Sequence, residues 1–459
     1  MELVLKGGTI VSSNKCFQAD LRITGEKISE IGSDLDTTDG VIVDISGNYV
    51  FPGFIDSHTH FDLDTGTTKT ADDFASGTKA AIVGGTTTIL DFATQNKGET
   101  LSHALSIWHK KAKGVSSCDY GFHMAITDWN EAVAKELAIM KEEGITSFKL
   151  YMAYENLRVT DAQIYQILKH MNEVGGMVGM HCENGDMVQE RILELKAKGN
   201  LTPAAHPLSR PSIVEAEAVN RYISLAYLTN TPVNIVHLST KEGLTEAMKG
   251  RERGQKVYIE TCPQYLLLDD SCYEKADFEG AKYVFSPPAR KPEDVECLWK
   301  ALSEDKINTI GTDHCSFHFK GQKELGRQDF SKIPNGIPGV EHRAALIYTY
   351  GVMKNRITME QMCKVLSENV AKLFGLYPRK GCLQVGSDAD IVVWNPDYEG
   401  TISAAHQIQN VDYTPYEGMP VKGRAERVYL RGNEVSYQGR VIKENTGMYL
   451  PRTESLYLM

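Results

Sequence analysis

Short apolar runs punctuate the chain between residues 50 and 314, at 50–56, 86–92, 120–126, 147–152, 177–182, 233–238, 256–262 and 308–314. Each is too short for an ordinary helix and is bounded by polar or glycine-containing stretches, the pattern of a strand buried on both faces. Between most of them lie longer segments whose apolar residues recur every three or four positions, such as DDFASGTKAAIV, EAVAKELAIMKEEG and EAEAVNRYISLAYL. That period predicts helices with one buried face. Thr160 with Gln163, and Thr358 with Gln361, read as capping boxes that start helices after 160 and 358. Eight strands with intervening helices predict an α/β fold, a (β/α)8 TIM-type barrel. A doubly wound open sheet is the rival, but its first strand usually leads into a glycine-rich phosphate loop. Here the first strand leads into a histidine pair, His58 and His60.

Both ends of the chain have another texture. Runs at 3–11, 19–23, 27–32 and 41–45, and again at 389–396 and 427–442, are β-branched and separated by Gly, Asn and Asp. Strands with open edges need partners, so the two termini are expected to build one small β-sandwich domain, 1–50 plus 380–459 with its C-terminal tail, beside a barrel over 51–379. Two unrelated hairpins are the alternative.

Composition narrows the function classes. Hydrophobic residues make up 42% and charged residues 24%, which are globular proportions. A net charge of −11 argues against a protein that wraps a nucleic acid duplex or coats a membrane surface. No apolar run reaches the roughly 18 residues of a membrane-spanning helix, and the N-terminal sequence lacks the basic start and apolar stretch of a signal peptide. Nine cysteines without a CxxC pair read as reduced thiols and point to the cytoplasm. The basic run His109–Lys113 reads as a solvated helix face.

In a barrel, chemistry gathers at the C-terminal ends of the strands. Those ends carry His58, His60, His181, His237 and Asp313, with Lys149 inside the fourth strand. Alternate residues of an extended segment share a face, so His58 and His60 aim the same way. Imidazole and carboxylate are donors suited to Zn²⁺ or a similar divalent ion. Any one of these signals is weak, since an isolated HxH often has a structural role. Lys149 is anomalous, because an ammonium with a pKa near ~10.4 would repel a metal. Two readings stand: the lysine reaches a carboxylate such as Asp91 or Glu183, or its neutral amine has reacted with carbon dioxide and the carbamate bridges two cations. Asp91 and Glu183 are also candidates to orient the ligand imidazoles. His123, Cys182 and Cys315 read as packing residues.

The segments GFIDSHTHFD, GGTTTILDF, SFKLYMAYEN, MVGMHCENGD, VNIVHLST, TCPQYL, FSPPARKPED, IGTDHCSF and PNGIPGVEHR occur in this order. With GSDADIVVWNP and VDYTPYEGMPVKG near the end, they resemble the dihydropyrimidinase and D-hydantoinase family of amidohydrolases over nearly the whole chain. The resemblance implies two divalent cations per subunit, Zn²⁺ by family habit. His58, His60 and Asp313 would hold the first, His181 and His237 the second, and Lys149, as N6-carboxylysine, would bridge them. It assigns Asp313 as proton carrier, Tyr154 to the oxyanion, and Ser286 and Asn335 to the substrate's amide edges, largely through main chain. It further implies a homotetramer or homodimer, with the segment after 443 bracing the assembly.

One residue bears on the substrate. Dihydroorotases read HxHxR, whose arginine clamps a carboxylate, whereas this chain has Asp62 at that position. An acidic side chain there points to a neutral ring, a 5,6-dihydropyrimidine or a 5-substituted hydantoin, opened to an N-carbamoyl amino acid. Allantoin, also neutral, stays open as an alternative. The stretch 62–73 is more polar than the loop the family leads one to expect. Metal-free scaffold proteins of the same fold are disfavoured by the complete ligand set.

Overall fold

The computed structural model describes residues 2–36 and 40–456. The chain opens with β1 (Glu2–Val11), β2 (Cys16–Thr24), β3 (Lys27–Gly32), β4 (Val41–Asp44) and β5 (Tyr49–Pro52). It then lays down β6 (Phe54–Thr59), β7 (Thr86–Thr94), β8 (Asp119–Ala125), β9 (Ser147–Tyr151), β10 (Met177–His181), β11 (Val233–Ile235), β12 (Val257–Thr261) and β13 (Thr309–Ile310). It returns with β14 (Ile391–Thr401), β15 (Pro420–Leu430), β16 (Asn433–Tyr437) and β17 (Arg440–Val441).

Among the described residues, β6 to β13 pair in sequence order as one eight-stranded parallel sheet. The chain leaving β13 closes the barrel against β6: Thr59 bridges His314, and His60 N donates to His314 O at 2.8 Å. Every barrel strand lies on one of the apolar runs, because a strand covered by helices outside and side chains inside has no polar face to show.

The helices lie on the periodic segments. The helix Asp161–Val174 begins at the expected capping box of Thr160 and Gln163, and it buries Ile164, Ile167, Leu168 and Met171. Burial of side chains of this size stabilises by roughly 1.5–3 kcal/mol each. The second capping box, Thr358 with Gln361, also forms.

The run at 50–56 is divided in two. Tyr49–Pro52 pairs antiparallel with β14, while Phe54–Thr59 enters the barrel. The break falls at Gly53, where a Cβ would lie 2.0 Å from Thr87 Oγ1, so only glycine passes that close to the neighbouring strand.

The termini meet as expected. The remaining strands form one mixed nine-stranded sheet in the order β17-β16-β15-β14-β5-β1-β2-β3, with β4 on β1, and its two halves join where β5 pairs β14. This sheet encloses its own core, including Leu5, Ile10, Leu21, Ile391, Val393 and Tyr429. Lys380 is buried where the two bodies touch, within 3.1 Å of Asp119, Asp388 and Asp390. The tail, which the resemblance gives to subunit contacts, lies on its own barrel: Leu450 is buried, its N donates to Tyr120 O, and Arg452 reaches Ser147 Oγ and Phe122 O. These partners sit in β8 and at the start of β9, so the tail seals the end of the barrel away from the candidate ligands.

Candidate metal centre

The alternation of β6 does what its sequence requires. The Nε2 atoms of His58 and His60 lie 3.1 and 3.3 Å from Asp313 Oδ1. Thr59, between them, turns the other way and donates to Asp91 Oδ2 at 2.8 Å. Asp91 also accepts from Phe61 N and Trp108 Nε1. It therefore fixes the turn beneath the histidine pair and touches no imidazole, which corrects its expected role. Burial drives its carboxyl up, with these donors opposing, to about 6.

Two ligand candidates stand on turns beyond shortened strands. β11 ends at Ile235 and β13 at Ile310, leaving His237 and Asp313 in left-handed conformations with φ of 41° and 53°. Such angles are uncommon outside glycine and concentrate at functional sites. His181 closes β10 as expected, and its Nδ1 lies 3.0 Å from His237 Nε2. The His237 ring is in turn 5.4 Å from the His58 ring, centroid to centroid, so the four imidazoles form one cluster. Glu183 meets its expectation: Oε2 bonds His181 Nε2 at 2.8 Å and is balanced by Arg210 at 2.5 Å. Burial works against its charge, but Arg210 and His181 hold the carboxyl at about 2.

Lys149 is fully buried, with Nζ 5.1 Å from the rings of Phe92 and Tyr151. It makes no ion pair with Asp91 or Glu183 among the described residues: both Asp91 oxygens and Glu183 Oε2 are taken by the partners above, while Glu183 Oε1 is buried without a hydrogen bond. Burial lowers its pKa and the charges of Asp313 and Glu260 partly restore it, leaving it at about 8. Beyond burial, its charge disfavours protonation of His58, His60, His181 and His237 alike, which locates it among all four.

The donors fit a divalent cation. His58 Nδ1 bonds Glu260 Oε1 at 2.6 Å, so its proton belongs there and Nε2 faces Asp313 as a lone-pair donor. His58 Nε2 and His237 Nδ1 are buried without a hydrogen-bond partner. Bonds of about 2.0–2.2 Å in a tetrahedral centre separate donors by about 3.3 Å, close to the 3.1 and 3.3 Å found here. Without a cation a proton fills its place: burial opposes charge on His58, but Asp313 and Glu260 raise it to about 9. Burial drives His60 down to about 4. Burial likewise opposes charge on Asp313, yet His58 and His60 hold its carboxyl well below the usual range.

The residues implied for substrate contact border this cluster. Tyr154, with φ of 67°, packs its ring 5.3 Å from His181 and beneath the Arg210 guanidinium. Burial raises its pKa while Arg210 and the nearby Ser286 hydroxyl oppose, so the phenol keeps its proton and can donate. Ser286 Oγ is buried without a partner, and the half-buried Asn335 is brought to the same place by Gly336 N donating to Val284 O at 3.0 Å.

Asp62 behaves differently from expectation. Its carboxylate pairs with Lys69 and lies 3.8 Å from Lys111, so its repulsion is largely neutralised. The case against a carboxylate-bearing ring therefore rests on the missing guanidinium fork alone. The same contacts show that the His109–Lys113 face is only partly solvated: Lys111 Nζ donates to Asp62 O, and His109 packs on Phe122 and Tyr449. His123 bonds Ser147 Oγ and Ser57 O inside the barrel, and burial raises the thiols of Cys182 and Cys315, as packing residues require. Glu260 and Arg210 were not singled out from sequence. The available signal was a lone carboxylate inside the apolar run 256–262.

Comparison with known proteins agrees with this geometry. The family described as "Amidohydrolase family" matches residues 49–435. A D-hydantoinase from Geobacillus stearothermophilus is 45% identical, covering 100% of this chain and 98% of its own. One from Ralstonia pickettii is 43% identical, covering 98% and 99%. Among solved structures, a dihydropyrimidinase from Brevibacillus agri NCHU1002 superposes with a TM-score of 0.98 at 44% identity, covering 99% of each chain. An L-hydantoinase from Arthrobacter aurescens gives 0.89 at 30%, covering 97% and 99%. On both sequence and fold, the chain belongs to the amidohydrolase family, in its dihydropyrimidinase and D-hydantoinase branch.

Proposed function

We propose that this protein is a binuclear-metal hydrolase that opens the ring of 5,6-dihydropyrimidines or 5-substituted hydantoins to N-carbamoyl amino acids. The observation that carries the reading is the convergence of His58, His60, His181, His237 and Asp313 around a buried Lys149. His58, His60 and Asp313 would hold one cation and His181 and His237 the other, with Zn²⁺ suited to this donor set. Lys149, carboxylated on Nζ, would bridge them. Its low pKa supports this, because only the neutral amine reacts with carbon dioxide, and the carbamate replaces a repelling charge with an attracting one.

Bound cations supply Lewis acidity, polarising the scissile carbonyl and making a water nucleophilic near neutral pH. The chain does the rest. Asp313 takes one proton from the attacking water and returns it to the ring nitrogen as the C–N bond breaks, so the ring opens to a terminal ureido NH₂ and a carboxylic acid, which releases the water's second proton to solvent. Tyr154 donates its phenolic proton to the oxygen that gains charge as the carbonyl becomes tetrahedral, a contact typically worth about 2.7–4 kcal/mol. Main chain at Ser286 and Asn335 holds the amide edge of the ring. The reading extends to a cytoplasmic homotetramer or homodimer. No described helix is long and apolar enough to cross a membrane.

The test is to incubate metal-replete protein with dihydrouracil, a 5-aryl hydantoin and allantoin, and to follow loss of ring absorbance and appearance of the ureido product. Opening of either of the first two, faster than of allantoin, is expected. Failure to open any of the three overturns the proposal.

A further inference from the structure

Lys323 takes no part in the chemistry above, yet it is fully buried a few turns beyond Asp313. Its ammonium has three protons, and all three are used on main-chain carbonyls: Val284 O at 2.7 Å, Pro334 O at 2.6 Å and Gly336 O at 2.7 Å. Among the described residues no carboxylate pairs with it; burial lowers its pKa to about 7, with Cys315 opposing. A buried ammonium without a counter-ion is an expensive way to fill space, and an apolar side chain would fill the same volume more cheaply. What an apolar side chain cannot do is donate to three carbonyls at once, two of them buried and that of Pro334 partly so.

The choice of carbonyls is informative. Val284 stands two residues before Ser286, and Pro334 and Gly336 flank Asn335 on either side. These two segments are far apart in sequence and touch through Gly336 N and Val284 O. His206 Nε2 fixes the intervening Phe285 O at 2.8 Å. Gly336 has no room to relax, since a Cβ there would lie 2.3 Å from Cys315 O.

We propose that Lys323 is a positioning residue that clamps the Ser286 and Asn335 main chain into one rigid cradle for the amide edge of a cyclic ureide. This rests on the reading of Ser286 and Asn335 given above. Hydrogen-bonding groups drawn from separate loops must be held to within about 0.5 Å to act together. The bonds they make to the ring exist before and during reaction, so their loss appears chiefly in KM and not in kcat.

The experiment compares Lys323→Met and Lys323→Gln with the wild type in metal content, in kcat and KM for dihydrouracil, and in amide exchange over 284–287 and 334–337. The glutamine is neutral and serves two of the three carbonyls, which keeps the test intact where Lys323→Met fails to fold. Expected are unchanged metal content, a KM raised at least tenfold with kcat changed less than threefold, and faster exchange in both segments. A KM within twofold of wild type in Lys323→Gln overturns the proposal, and lost thermal stability at constant KM does the same by assigning Lys323 to the fold alone. If the wild type opens no ureide ring, the proposed function fails separately and exchange decides the clamp: acceleration in both segments supports it, and unchanged rates overturn it.

Discussion

Glu260 offers a sharp test of how the metal centre is held. Its Oε1 accepts the Nδ1 proton of His58 at 2.6 Å, and its Oε2 accepts from Ser57 Oγ at 2.8 Å. The side chain is 1% exposed, so no water substitutes for it. Glu260→Gln keeps the shape, because the amide oxygen can accept from His58 Nδ1 and His237 N while the amide NH₂ donates to Ser57 Oγ, reversing that one bond. The main loss is the charge. A charge-assisted hydrogen bond contributes about 1.5–3 kcal/mol and a neutral one about 0.5–1.5. The difference, about 1–1.5 kcal/mol, corresponds to roughly tenfold in affinity, the low end of the 10–100-fold that supporting groups of metal ligands usually contribute. Titration with zinc in a competing chelator, on protein stripped of metal, should show one of the two sites weakened by about that factor. Turnover should recover as zinc is raised. A variant that binds both ions within twofold of wild type would show that His58 is oriented by packing against Phe92 and not by this carboxylate.

Other outcomes follow from the same geometry. Lys149→Ala should abolish binuclear loading, with partial rescue of activity by small carboxylates such as acetate or propionate; two tightly held ions and full activity in that variant would remove the bridging role. Asp313→Asn should fold normally and lose about 10²–10⁴-fold in turnover, and near-normal turnover would exclude it as the proton carrier. Lys380→Met should lower unfolding free energy by about 3–5 kcal/mol in urea, because it removes the ammonium that three buried carboxylates share and takes the ion pair from Asp390, while Asp119 keeps Arg431 and Asp388 keeps Lys27 and Arg379; a loss below about 1 kcal/mol would contradict a net stabilising role. Against the cost of burial, Lys380, Lys27 and Arg379 hold the 3%-exposed Asp388 at about 2, below its unfolded value of 3.8, so its contribution is full above pH ~4 and lost as pH falls towards 2. By linkage this is worth roughly 2 kcal/mol, and Asp388→Asn should flatten the acid limb of stability measured by urea unfolding between about pH 5 and 2; an unchanged slope would rule it out.

The barrel was legible because its signals are local. Eight apolar runs place eight strands, and the capping boxes at Thr160 and Thr358 depend only on residues three positions apart. The histidine pair was legible for the same reason, since alternation along an extended segment alone brings His58 and His60 to one carboxylate. Where the reading failed, the physics is long-range. Glu260 meets His58 across 202 residues, and Lys323 meets Val284 across 39. The division of the run at 50–56 is set by how close β7 lies to Gly53, which no window of sequence contains.

The polar stretch 62–73 illustrates the same limit and explains its own composition. It is more polar than the family leads one to expect, and within it Asp72 is completely buried and accepts four hydrogen bonds, from His314 Nε2, Ser316 Oγ, Ser76 Oγ and Asn410 N. His314 is thereby fixed as a donor through Nε2, which leaves Nδ1 to accept from Gly339 N at 3.1 Å and Val340 N at 3.2 Å. The residue after Asp313 is thus held from both edges of its ring, while its own main chain bonds His58 O and His60 N across the barrel seam. A left-handed aspartate at the mouth of a barrel would otherwise relax, at a gain of order 1–3 kcal/mol. The polarity of this loop therefore serves the geometry of Asp313, through a buried carboxylate that reaches it by way of the His314 ring.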